Sequence, residues 1–203
     1  MTTATGVLVK DFTVLGNVDP YTDASFTYQG AFQFAIVTGQ LRNASGAGGD
    51  GNTRILKLAN TLTAGTKQIN VEIGANGGGG DTDCQMLVNS SGNGYRMTID
   101  GTATRIELVT TWTTNAGTLT SGTLTAPDVV TFEWDGSTGY SVKQGATTVI
   151  STTDATYTPS IMAICTVSNN SGNVGMKSVG FNGITVSGSG SKLLSMLSNQ
   201  AGF

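Results

Sequence analysis

The sequence predicts an all-β fold of two antiparallel sheets packed face to face, and three observations predict it. The 203-residue chain holds 29 glycines beside only 3 prolines, and its Thr, Ser and Asn content disfavours helices and suits pleated strands joined by tight turns. Apolar runs of strand length recur with turn residues between them. No intervening stretch carries helical periodicity, which argues against βαβ units. Surface scaling for this mass gives about 8,900 Å² folded, so roughly 70% of the extended chain's surface can be buried in one domain.

The predicted strands follow in order. Gly6 to Val14, Ala31 to Thr38, Arg54 to Leu58, Gln68 to Ile73 and Gln85 to Val88 come first. Tyr95 to Ile99, Thr104 to Thr111, Val129 to Asp135, Tyr140 to Lys143, Thr147 to Ser151, Ile161 to Val167 and Met176 to Val186 complete twelve. In the hairpin after Pro127, Val130, Phe132 and Trp134 alternate with Thr131, Glu133 and Asp135. A three-residue loop, Gly136 to Thr138, then opposes Trp134 to Tyr140 and Phe132 to Val142. A second turn at Gln144 and Gly145 is expected to pair Val142 with Thr147 and Tyr140 with Val149. Phe132, Trp134, Val142, Ile164 and Ile184 are expected inward. The echo GTLTSGTLT at Gly117 to Thr125 reads as threonine-rich drift.

The sandwich domain is expected over residues 1–186. Residues 187–203 form a separate element, a Gly/Ser linker followed by an apolar tail. Leu193, Leu194, Met196 and Leu197 can share one side of a short helical turn that is too small to be stable alone; the tail either folds back on its own sandwich or docks on another chain, and the linker's reach favours an interface formed by these residues and Phe203. The glycine runs Ala44 to Asn52 and Gly74 to Asp81 open no helix, and so do not read as phosphate-binding loops.

Composition excludes several chemistries. With no histidine, neither a Ser-His-Asp triad nor an imidazole metal ligand exists. Net charge is −3 and only 11% of residues are charged, which lacks the basic surface that a phosphate backbone requires. Nucleic acid is not an expected partner, nor is a membrane, because no run approaches about 20 apolar residues. The start of the chain lacks a signal-peptide pattern. Cys84 and Cys165, without CxxC spacing, read as two inert thiols of a reduced protein.

Residues 129–149 (VVTFEWDGSTGYSVKQGATTV), 159–167 (PSIMAICTV) and 179–188 (VGFNGITVSG) together resemble the concanavalin A-like jelly roll in its laminin-G-like form. The resemblance implies a strand ending in a turn at Trp134, Asp135 and Gly136 and a closing strand at Phe181 to Val186. Some members of that fold cleave β-glucans with carboxylates spaced Glu-x-Asp-x-(x)-Glu. Glu133 and Asp135 match its start, but Gly136, Ser137 and Thr138 follow, so the third carboxylate is missing and no enzyme is expected.

Oxygen-rich loops at Asp81 and Asp83, and at Asp50 and Asn52, are the candidates for calcium, and no other cofactor is expected. An exposed aromatic would stack on a pyranose ring, and Trp112, Tyr95 and Tyr21 are the candidates. Lack of catalytic machinery, the Gly/Thr/Ser-rich sandwich and the linker-borne tail lead to a structural protein of a bacteriophage virion. It would decorate the capsid or join the tail as a homo-oligomer in contact with other virion subunits. The alternative is a lectin-like module that binds host-cell glycans.

Overall fold

The computed structural model describes residues 4–13, 25–29, 34–37, 39–43, 53–76, 82–125, 129–167 and 174–186. It contains strands β1 (Leu8–Asp11), β2 (Phe26–Gln29), β3 (Phe34–Val37), β4 (Gln40–Asn43), β5 (Thr53–Leu58), β6 (Lys67–Asn76), β7 (Thr82–Val88) and β8 (Gly94–Asp100). These are followed by β9 (Ala103–Thr110), β10 (Thr114–Thr123), β11 (Val129–Trp134), β12 (Gly139–Gln144), β13 (Thr147–Thr153), β14 (Ile161–Val167) and β15 (Val174–Asn182). No helix occurs among the described residues.

Two antiparallel sheets form the sandwich. Sheet I runs β13-β12-β11-β6-β15-β4-β3, with β1 also paired to β15, and sheet II runs β10-β9-β8-β7-β14-β5-β2. Between them lies one apolar core, in which Leu41, Ile69, Val71, Tyr95, Met97, Phe132, Val142, Ile164 and Phe181 are fully buried. Phe132, Trp134, Val142, Ile164 and Ile184 all face inward as expected. A second apolar layer covers the outer face of sheet II, where Ile55, Cys84, Met86, Val88, Val109, Trp112, Ala163 and Cys165 pack together. Strands buried on both faces lose alternation, which explains the unbroken run IMAICTV of β14.

Register follows the sequence in one hairpin and departs from it in the next. Trp134 lies opposite Tyr140 and Phe132 opposite Val142, and Asp135 N–H donates to the Gly139 carbonyl at 3.0 Å, closing the three-residue loop. In the β12–β13 hairpin, Gln144 pairs with Thr147, Val142 with Ile150 and Tyr140 with Thr152, with a bulge between Val142 and Lys143. Gly145, at φ 60, accepts the left-handed conformation of a tight turn. The bulge then brings Ile150 into the core in place of the expected Val149.

Three strands lie outside the twelve predicted. β2 and β4 are only four residues long, while β10 is an exposed edge strand with two bulges that includes most of the GTLTSGTLT segment. β10 reaches over to β13, and a Cβ at Gly122 would stand 2.4 Å from Ile150 Cγ2, so glycine permits this approach. The last strand stops at Asn182 rather than running to Val186. Gly183 turns the chain at φ +78, and a Cβ there would meet the Thr66 carbonyl at 2.4 Å. The glycine run at Gly74 is partly strand, since β6 continues to Asn76. The cysteines face one another directly across β7 and β14, and both are buried.

Candidate functional site

The β11–β12 turn separates two clefts at one end of the sandwich. On its first side, the outward residues form rows across three strands: Glu133, Ser141 and Ser151 in one, and Asp135, Gly139 and Thr153 in the next. Strand alternation sends Phe132, Trp134, Tyr140 and Val142 to the core and these small polar residues to the surface. A Cβ at Gly139 would stand 2.4 Å from Asp135 Oδ2. Glycine therefore leaves a trough of about 400 Å³ lined by Glu133, Asp135, Gly139, Ser141, Ser151 and Thr153.

Both carboxylates of the trough are held. Lys143 Nζ donates to Glu133 Oε1 at 2.7 Å and to Oε2 at 2.8 Å, and Gln68 Nε2 donates to Oε2 at 2.7 Å. Gln68 in turn accepts from Asn182, so Glu133 ends a hydrogen-bonded chain across sheet I. Asp135 Oδ1 accepts from the backbone N–H groups of Ser137 at 2.7 Å and Gly139 at 3.1 Å, which caps the turn. Neither group is arranged as a proton donor, and among the described residues no third carboxylate lines the trough.

On the other side of the turn, a cleft of about 390 Å³ is lined by Thr61, Thr63, Gly65, Lys67, Trp134, Gly136, Pro159 and Ser160, with Leu62 and Ala64. Beneath both clefts Tyr140 stacks on Tyr95 at 3.9 Å and lies parallel to Trp134 at 6.3 Å. Tyr95 Oη donates to Asp154 Oδ1 at 2.6 Å and accepts from Tyr157 N–H at 3.2 Å. Burial, reinforced by Asp154, raises the Tyr95 pKa, and the same hydrogen bond lowers that of Asp154. Burial also lowers the Lys67 pKa.

Of the predicted aromatic platforms, Tyr95 and Trp112 do not present open rings. Tyr95 lies wholly inside the core because its strand position faces the opposite sheet. Trp112 is 8% exposed. Its ring lies on Gly92, where a Cβ would stand 2.3 Å from Cγ, and Lys57 Nζ sits 5.3 Å over the ring centroid. Thr111 and Trp112 take positive φ values of 50° and 73°. This strained turn is held by Asn93, whose side chain accepts from Thr111 N–H at 2.9 Å, and by the Gly92 carbonyl, which accepts from Trp112 N–H at 2.9 Å. Tyr21, Asp81, Asp50 and Asn52 lie outside the described residues. So do Leu193, Leu194, Met196, Leu197 and Phe203, and with them the tail that motivates virion assembly. The Asp83 backbone belongs to β7, but its side chain is also outside the description. Among the described residues no three His, Cys, Asp or Glu side chains gather to hold a metal ion.

No protein-family model and no curated protein sequence matches the chain. Solved structures do. The carbohydrate recognition domain of Emp47p superposes with a TM-score of 0.60 at 10% identity, covering 87% of this chain and 95% of that one. The exoplasmic/lumenal domain of VIP36, solved with Ca²⁺ and Man3GlcNAc, gives 0.57 at 10% identity over 89% and 92%. This chain has the concanavalin A-like jelly-roll fold. The Crh5 transglycosylase shares the jelly roll as well, with a TM-score of 0.60 at 12% identity over 88% and 86%. At such identities the likeness concerns the fold.

Lys67, Gly139 and Asp154 were not singled out from sequence. Lys67 left a signal: it keeps phase with the inward-facing Ile69, Val71 and Ile73 of β6, a charge at a core position.

Proposed function

We propose that this chain is a non-catalytic carbohydrate-binding domain that uses the clefts beside the β11–β12 turn. The trough carries the proposal. A glycine floor between carboxylates and three small hydroxyl side chains offers closely spaced donors and acceptors of the kind that pair with sugar hydroxyls. The shared fold supports it, since Emp47p is described as a carbohydrate recognition domain and VIP36 was solved with a mannose-containing glycan. Catalysis is disfavoured by the same side chains that build the trough. Glycosidic cleavage needs one carboxyl to protonate the leaving oxygen and another to attack or activate water. Glu133 is neutralised by Lys143, Asp135 is spent on turn amides, and Ser137 and Thr138 stand where a third carboxylate would be needed.

Calcium, bound in the VIP36 structure, comes into the proposal only through Asp81 and Asp83. The trough does not suit it, because the Lys143 ammonium already occupies Glu133. Membership of a virus particle, with the tail docking on neighbouring subunits, rests on sequence features alone: the Gly/Thr/Ser-rich composition, the lack of catalytic machinery and the apolar tail of residues 187–203. The test is a glycan array spanning neutral and acidic oligosaccharides, read for the wild type and for S141V/S151V. Carbohydrate binding predicts at least one glycan class retained by the wild type and lost by the variant. An array without a hit would refute it.

A further inference from the structure

We propose that the cleft over Lys67 receives the anionic group, a carboxylate or sulfate, of an acidic sugar residue. The inference rests on the carbohydrate-binding proposal and names the ligand class for its second cleft.

Lys67 opens β6 directly opposite Trp134, on the inward face that Ile69, Val71 and Ile73 line with apolar side chains. It is 3% exposed, yet no carboxylate among the described residues forms an ion pair with it. Its ammonium donates to the Gly65 carbonyl and lies 5.0 Å from the Trp134 ring centroid. An ammonium has three N–H donors, and a carbonyl with an aromatic face satisfies them only in part. Burial of a cation without a counter-charge is costly, in keeping with the lowered pKa of this group. An anion in the adjoining cleft would supply the missing charge, with a contact strengthened by partial exclusion of water.

The cleft is built rather than incidental. The Lys67 stem is packed by backbone, since a Cβ at Gly183 would stand 2.7 Å from its Cδ. One wall is laddered in place: Leu62 bridges to Ile184, Thr63 N–H donates to the Gly183 carbonyl at 2.9 Å, and Thr185 N–H donates to the Thr61 carbonyl at 2.8 Å. The opposite wall is the β11–β12 turn, where Gly136, at φ +90, would place a Cβ 2.6 Å from the Gly65 carbonyl. Thr61, Thr63 and Ser160 stand exposed at the rim, positioned for the hydroxyls of a ring whose acidic substituent reaches Lys67. A fixed cation below and hydroxyls above is a preorganised arrangement that loses little entropy on binding.

The experiment is titration calorimetry of the full chain with trigalacturonate, with its methyl ester, and with galactose 6-sulfate. The wild type is compared with K67M and K67R, and each variant's fold is checked by circular dichroism. The acid should bind about tenfold or more tighter than its ester. K67M should erase that preference and K67R should retain part of it. The sulfate arm distinguishes the two anion types. If K67M does not fold, the ¹³Cε signal of Lys67 in the wild type still decides, because its titration must move to higher pH when the acid is bound. Equal binding of acid and ester, a preference that survives K67M, or an unmoved Lys67 titration would overturn the inference and leave carbohydrate binding standing. Absence of binding by these probes and by every glycan of the array would bring down both.

Discussion

Removing one hydroxyl tests how the end of the sandwich is held. In Y95F the buried ring keeps its stack on Tyr140, while Asp154 loses the donor at 2.6 Å and Tyr157 N–H loses its acceptor at 3.2 Å. A hydrogen bond to a charged group contributes about 1.5–3 kcal/mol. Asp154 still accepts from Thr156 N–H at 2.8 Å and lies near solvent, so water replaces part of the loss. The total is about 2 kcal/mol, which for a domain of this size lowers Tm by roughly 4–8 °C. The assay is thermal unfolding by circular dichroism between pH 2 and pH 7. The sign follows from the lowered Asp154 pKa: the stabilisation is complete above the ordinary aspartate value of about 3.9 and disappears as pH falls through the lower folded value. The Tm gap between wild type and Y95F should therefore be full at pH 7 and narrow only below about pH 4. A gap under about 1 °C at pH 7, or one unchanged at pH 2, would refute this account of the Tyr95–Asp154 pair.

Further outcomes follow from other contacts. Incubation with laminarin, lichenan or agarose should release no reducing ends; turnover abolished by E133Q would show that the Glu133–Lys143 pair opens to a catalytic form. Arg96 and Glu107 form a buried ion pair at 2.8 Å with side chains 8% and 4% exposed, so R96M leaves a buried carboxylate and should cost about 3–5 kcal/mol. The double variant R96M/E107M should recover most of that loss in thermal unfolding, and a double variant as unstable as R96M would contradict it. Glycan binding that uses only the side chains of the two clefts should survive EDTA; abolition by EDTA and recovery with Ca²⁺ would move the site towards Asp81 and Asp83.

The inner core was legible because period-two alternation is a local signal. Phe132, Trp134, Tyr140 and Val142 fixed a register in which a one-residue slip would have exposed every one of them. The β12–β13 register was not legible, because a bulge adds a residue to one strand and depends on burying Ile150, a long-range effect. β10 escaped detection because an edge strand rich in Thr and Gly has no apolar face to alternate. The second apolar layer misled the search for a sugar platform. Trp112 sits in a turn, where aromatics are often exposed, yet Gly92 removes the side chain that would have kept its ring off the surface. The polar trough was half visible: Glu133 and Asp135 attracted notice as fragments of a catalytic pattern, whereas Gly139, Ser151 and Thr153 acquire meaning only when three strands align.

The site itself is tested most directly by amide chemical-shift mapping of the isotope-labelled chain with a glycan that it binds on the array. Binding at the clefts predicts that the largest shifts fall on Gly136, Gly139, Ser141, Ser151 and Thr153, with Lys67 and Ser160 joining them when the glycan is acidic. Shifts concentrated instead on Thr111, Trp112 and Thr113, across the outer face of sheet II, would contradict the assignment of this end of the jelly roll as the binding site.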